Sequence, residues 1–273
     1  MPAIHPARLR QQAAVLVEHF YDPPAFMRSL HHLLDSYAER IHPTGQAREL
    51  PALLPAYRVR PPVLRHILLE LAPLVDGDPE SGLALCDALW EQPYLEFRLL
   101  AAGILGQIPC TYVEGIVSRL QGWIRPDIES RLVDALFVQG ATCLRKKNQT
   151  ALIRLAESWL HESDSFYQQL GLRLLLSLLK EPEFENLPVL YRLIQNLTRN
   201  CPARLRPDLL DALAALAQRS PNETAYFLRQ TMTMPNSPDT PLLLRLSLQE
   251  FPPEIQENLR SISREYYDKP RKQ

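Results

Sequence analysis

The sequence predicts an all-α protein, an α-α superhelix built as a HEAT-like repeat solenoid. Three observations carry that prediction. Leucine supplies 50 of the 273 residues and glycine 9, a balance that suits helices and starves the turns and β-branched strands of a sandwich or a nucleotide-binding sheet. Apolar residues recur at three- and four-residue spacing, never in the alternation of a half-buried strand. Helix pairs begin near residues 79, 111, 148, 186 and 221, at intervals of 32, 37, 38 and 35, which is the period of stacked helical repeats.

Proline marks the element starts, because the first turn of a helix has no partner for the N–H that proline lacks. Residues 1–45 hold two helices, the second opened by Pro24 and running to Ile41. A Pro- and Arg-containing link follows through about residue 60. Pro61–Pro62 opens a helix to Val75, Pro79 opens ESGLALCDALWEQ, and Pro93 opens YLEFRLLAAGILGQ. Pro126, Pro207, Pro221, Pro238 or Pro241, and Pro252–Pro253 do the same further on, with Asp78, Asp164, Ser220 and Ser237 as N-caps. Ile128, Leu132, Ala135, Leu136 and Cys143 form one apolar stripe over 126–143. The segment 165–180 is apolar around most of its girth, so neighbours must cover it on several sides. The whole chain, 1–273, reads as a single HEAT-like helical-repeat domain. Residues 1–60 are capping helices and link, 61–250 are stacked helix pairs, and 251–273 are a last helix with a frayed tail.

The net charge is −1, which excludes a simple polycation but allows one basic face. The cations are 25 Arg and 5 Lys; base composition accounts for that bias, and so would phosphate recognition by the planar guanidinium fork. Cys86, Cys110, Cys143 and Cys201 lie far apart without a CxxC spacing, so a zinc site is not expected and all four read as reduced core residues. His31 and His32 diverge by about a hundred degrees on a helix and cannot chelate together. With no Gly-rich phosphate loop and no nucleophile elbow, neither a metal nor a cofactor is expected. The longest apolar stretch, 174–179, is too short to span a bilayer. No secretory signal opens the chain. A cytoplasmic monomer without membrane contact is the expectation.

Two stretches go further. Ala56–Leu69 reads AYRVRPPVLRHILL, and Leu89–Leu105 reads LWEQPYLEFRLLAAGIL. Together they resemble the HEAT-like-repeat DNA alkylation repair family, the AlkD-type DNA glycosylases. There a link–Pro–x–x–Arg segment precedes a helix, and a Leu-Trp-x-x-Pro-x-x-Glu-Phe segment enters the next repeat. Trp159, Asp164 and the pair Phe166–Tyr167 resemble a later motif of that family, and the resemblance covers roughly 50–260. It implies DNA held in a concave groove and excision of a cationic 3- or 7-alkylated purine. A carboxylate would stabilise the oxocarbenium-like sugar, a Trp would pack on the deoxyribose, and an Arg would hold a phosphate.

Aligned on the flanking segments, the family's catalytic carboxylate falls at Asp134, its Trp at Ser130 and its Arg at Gln169. One position of three matches, so the resemblance implies DNA binding and leaves glycosylase activity open. Trp123 and Asp127 repeat the Trp-x-x-x-Asp spacing, with Pro126 between them, and Arg173 could supply the missing cation one turn after Gln169. Asp134 is the catalytic candidate; it could instead form a surface pair with Arg131. The DNA-binding candidates are Arg58, Arg60 and Arg65 at a helix start, Arg131, the run Arg145-Lys146-Lys147 in an inter-helix loop, Gln169 and Arg173. For the 145–147 run the competing reading is a set of cations at a helix C-terminus. Trp90, Trp123 and Trp159 read as core anchors. The alternative function is a non-enzymatic HEAT-repeat scaffold that takes a protein partner on its concave surface.

Overall fold

Proline and aspartate start the helices as the sequence predicts. The structure, a computed structural model, describes residues 6–38 and 54–268, and the side chains among them except those of 6 and 262–268. The described residues form fifteen α-helices and no strand: α1 (Pro6–Val17), α2 (Pro23–Tyr37), α3 (Pro61–Gly77), α4 (Pro79–Trp90), α5 (Leu95–Leu105), α6 (Val113–Trp123), α7 (Ser130–Ala135), α8 (Thr142–Lys147), α9 (Gln149–Leu160), α10 (Ser165–Leu179), α11 (Leu187–Arg199), α12 (Arg206–Arg219), α13 (Pro221–Thr233), α14 (Thr240–Ser247) and α15 (Pro253–Asp268). Pro61, Pro79, Pro207, Pro221 and Pro241 lie at first-turn positions. Asp78 accepts from the Ser81 amide and Asp164 from the Phe166 amide, each 2.8–3.1 Å away, which satisfies donors that the helix cannot. The expected helix end at Ile41, the first part of the link and the tail after 268 lie outside the described residues.

Three boundaries differ from expectation. α5 starts at Leu95 rather than at Pro93. Ser237 is not a cap; it accepts from Arg199 Nε, and α14 starts after Asp239. The predicted helix over 126–143 is broken: α6 ends at Trp123, Pro126 lies in a turn, and α7 is followed by a π-helical turn, Leu136–Gly140, before α8. The widened turn is closed by the Ala141 amide donating to the Leu136 carbonyl at 2.7 Å. Periodicity missed the break because the stripe of buried residues continues through it.

The described residues fall into two compact units that divide between Asn148 and Gln149. In the first, α1, α3, α5 and α7 pack in one row, and α2 and α4 in a second; α6 is tied to α4 by Arg119, which donates to Asp87. In the second, α10, α12 and α14 form one row and α11, α13 and α15 another. Hydrogen bonds between successive repeats show the period directly. Gln107 reaches Leu68, 39 residues back, Arg119 reaches Asp87 across 32, Arg199 reaches Ser237 across 38, and Arg219 reaches Leu179 across 40. These spans bracket the intervals counted from the sequence.

Each unit has its own core. Val63, Ile67, Leu71 and Val75, four residues apart along α3, are fully buried, at about 2 kcal/mol of burial apiece. α5 is covered nearly all round, with Phe97, Leu100, Ala101, Ile104 and Leu105 fully buried. Its end abuts the π-helical turn so closely that a Cβ at Gly106 would run into the Gln139 carbonyl oxygen. α10 meets α9 as tightly, since a Cβ at Gly171 would lie 2.7 Å from Leu160 Cγ and 3.0 Å from the Ala156 carbonyl. That contact and α12 cover the broad apolar face predicted for 165–180.

The cysteine expectation needs correcting for two of four residues. Cys86 and Cys201 are free and buried, but Cys110 and Cys143 form a disulfide with Cα atoms 5.6 Å apart. They are 33 residues apart, about one repeat, so stacking brings the turn before α6 against the first turn of α8. With a disulfide present, cysteine usage no longer argues for a reducing compartment. Among the described residues no single helix is long and apolar enough to cross a membrane.

Candidate nucleic-acid interface

The two sequence segments that carried the resemblance meet in the structure. The link before α3 is pinned to the N-terminus of α5 by three hydrogen bonds donated by backbone amides. Leu95 donates to the Pro55 carbonyl at 3.0 Å. The Tyr57 and Arg58 amides donate to the two carboxylate oxygens of Glu96 at 3.0 and 2.7 Å. Glu96 is only 3 % exposed, so its charge is taken from water and compensated by charge-assisted bonds. This grip holds Arg58 at φ 56°, a left-handed conformation that costs a residue with a Cβ about 1–3 kcal/mol.

Aromatic packing fixes the rest of the link. The Tyr57 ring lies 5.2 Å from that of Tyr94, and His31 lies 5.1 Å from Tyr94 and 4.6 Å from Phe97. The Tyr57 hydroxyl is 2.5 Å from His31 Nδ1. Burial, helped by the neighbouring His32, lowers the His31 pKa, and burial raises that of Tyr57. Both shifts favour the neutral forms, and the hydroxyl and the imidazole share this hydrogen bond. Arg58 and Arg65 are exposed and Arg60 half-buried, on either side of the α3 start.

The remaining candidates are spread over several elements. Asp134 and Arg131 are exposed on α7, in the same row of helices as α3 and α5. Arg131 Nε lies 3.9 Å from Glu129 Oε1. Ser130, where the resemblance calls for an aromatic, opens α7 and is exposed. The run 145–147 is not a loop: it is the last turn of α8. Arg145 is 8 % exposed, and its Nη1 donates to the Phe137 and Val138 carbonyls of the π-helical turn. A widened turn loses a regular carbonyl partner, and this guanidinium replaces it. Lys146 and Lys147 are exposed.

Gln169 and Arg173 belong to α10 in the second unit. Gln169 donates through Nε2 to Asp208 Oδ2 at 2.7 Å, so an acid stands beside the position where the resemblance calls for a cation. Trp123 ends α6 and stacks flat on Trp90, with centroids 4.4 Å apart and planes 7° apart, while Arg98 lies over Trp90 at 5.4 Å. Trp123 and Asp127 therefore share no continuous helix. Trp90 and Trp159 are buried anchors. Among the described residues no group of three His, Cys, Asp or Glu could hold a metal ion.

Sequence reasoning missed Glu96, His31, Tyr57 and Tyr94 as the parts that order the basic link. The signal was present: Glu96 and Tyr57 stand in the two segments that resembled the family, but nothing in the order of residues shows that the two segments touch.

No curated protein and no solved structure matches the chain. Residues 31–249 match the family described as "DNA alkylation repair enzyme". That match spans most of both units and includes the Glu96-pinned link, α7 with Asp134, and α10; the chain is a member of the DNA alkylation repair enzyme family.

Proposed function

We propose that this chain binds duplex or distorted DNA through backbone phosphates and does not excise 3- or 7-alkylated purines efficiently. The observation that carries the first half is the family match over 31–249. Arg58, Arg60 and Arg65 around the α3 start support it, because a helix N-terminus adds positive potential to the guanidinium charges. Arg131, Lys146 and Lys147 in the first unit, and Arg173 in the second, are further candidate phosphate contacts. The second half is supported by chemistry. The Ser130 hydroxyl offers no aromatic face to a deoxyribose, and Gln169 carries no charge and is bonded to Asp208. Asp134 alone of the expected three would remain to stabilise a developing cation.

Fluorescence anisotropy with a short duplex tests the first half. Binding should be tight at low salt and weaken steeply as salt rises. Replacing Arg58, Arg60 and Arg65 together by Ala should reduce the logarithmic salt slope by about three, one per lost phosphate contact. No binding at low salt would favour the protein-scaffold alternative. For the second half, methylated DNA should release little 7-methylguanine or 3-methyladenine, and Asp134→Asn should leave that amount unchanged. Robust release abolished by Asp134→Asn would make the protein a glycosylase.

A further inference from the structure

We propose that Glu96 is a positioning residue for DNA-backbone binding: its carboxylate presets Arg58 so that the guanidinium is delivered from an ordered link. This rests on the reading of the basic link given above. Two residues with a Cβ have positive φ among the described residues, Arg58 and Asn236, at 56° and 55°. Asn adopts that conformation readily because its short amide bonds locally; a long cation does not. A glycine would satisfy the same turn without strain. The chain instead keeps an exposed arginine there and stabilises the conformation from a different repeat.

The stabilising group is specific in its chemistry. Two adjacent amides, those of Tyr57 and Arg58, point at one side chain, and each is bonded to its own oxygen of Glu96. The carboxylate satisfies both, with one oxygen for each amide. Glutamine keeps the size and hydrogen-bonding capacity, but sets an NH2 against one of the two N–H donors. The Tyr57 hydroxyl bond to His31 and the Tyr57–Tyr94 packing anchor the residue before Arg58, so any loosening falls on residue 58 itself. Ordering the link before DNA arrives lowers the entropy lost on binding.

The test is a double-mutant cycle on duplex affinity and its salt dependence, using the full chain. Arg58→Ala keeps the Cβ and the strain but removes the cation; it should lower the logarithmic salt slope by about one. Glu96→Gln, which leaves every cation in place, should reproduce most of that loss, about tenfold at low salt. The double variant should bind no worse than Arg58→Ala alone, because Glu96 acts through Arg58. Additive losses, or a Glu96→Gln protein with lowered melting temperature and wild-type affinity and slope, would overturn the positioning role while leaving the basic link intact. Wild-type protein that ignores DNA, or an Arg58→Ala protein that binds as well as wild type, would overturn the reading of the link and this proposal with it. Should Glu96→Gln not fold, amide hydrogen exchange on the wild type decides: the Tyr57 and Arg58 amides must be protected in the DNA-free protein. Exchange there as fast as in an open loop would refute presetting.

Discussion

Arg145 shows how a residue's role is set by its partners rather than by its charge. In the sequence it heads the densest basic run. In the fold its guanidinium is buried and bonded to two carbonyls of the π-helical turn. Arg145→Met should therefore lower unfolding stability by about 2–4 kcal/mol, since buried acceptors lose a charged donor, and leave the salt slope of DNA binding unchanged. Urea midpoints and anisotropy titrations check the two halves separately. His31 makes a pH prediction. Its pKa is lowered by burial, then by His32, so the unfolded chain takes up the proton first. Stability should fall as pH drops below about 7 and level off once the folded form also protonates. Melting curves of wild type and His31→Gln between pH 8 and 5 should diverge on the acid side, because the Gln amide can bond the Tyr57 hydroxyl and does not titrate.

At the scale of elements, most helices were legible because their starts are chemically marked. A first-turn proline opens α3, α4 and α13, a capping aspartate precedes α4 and α10, and an apolar stripe runs along each of the four. The stretch 126–147 was not legible. Its apolar spacing continues through a break where Gly106 packs against the Gln139 carbonyl and Arg145 bonds the π-helical turn, contacts invisible in local sequence. The Cys110–Cys143 disulfide ties this stretch to the turn before α6. Closing a loop of about 33 residues restricts the unfolded chain, worth about 4 kcal/mol by loop-closure entropy. Reductant should lower the melting temperature of the wild type by several degrees, and Cys110→Ser should start from the lowered value and not respond.

At the scale of the whole molecule, the question is which cations serve the bound polyanion. Each candidate sits beside a different neighbour: Arg58 on a clamped link, Arg131 near Glu129, Gln169 against Asp208. Restoring a cation at 169 therefore needs more than one change. Gln169→Arg alone should pair with Asp208 and leave the salt slope nearly unchanged, whereas Gln169→Arg with Asp208→Asn should raise it by about one. Salt titrations of the two proteins check this, and equal slopes would remove position 169 from the DNA surface. The net charge of −1 thus says little by itself: affinity for a polyanion depends on where 30 basic and 31 acidic side chains are held.

The sequence by itself determined the helical class, the repeat period and most element starts, because these follow from local propensity, proline stereochemistry and side-chain spacing. It also carried the family, through two short segments whose residues are unusual together. Only the tertiary structure decided that those segments touch, that Glu96 clamps the link at Arg58, that Arg145 supports a turn, and that Cys110 meets Cys143. Those facts depend on residues about one repeat apart being stacked side by side, and packing distance between repeats is not written in the order of residues along either one.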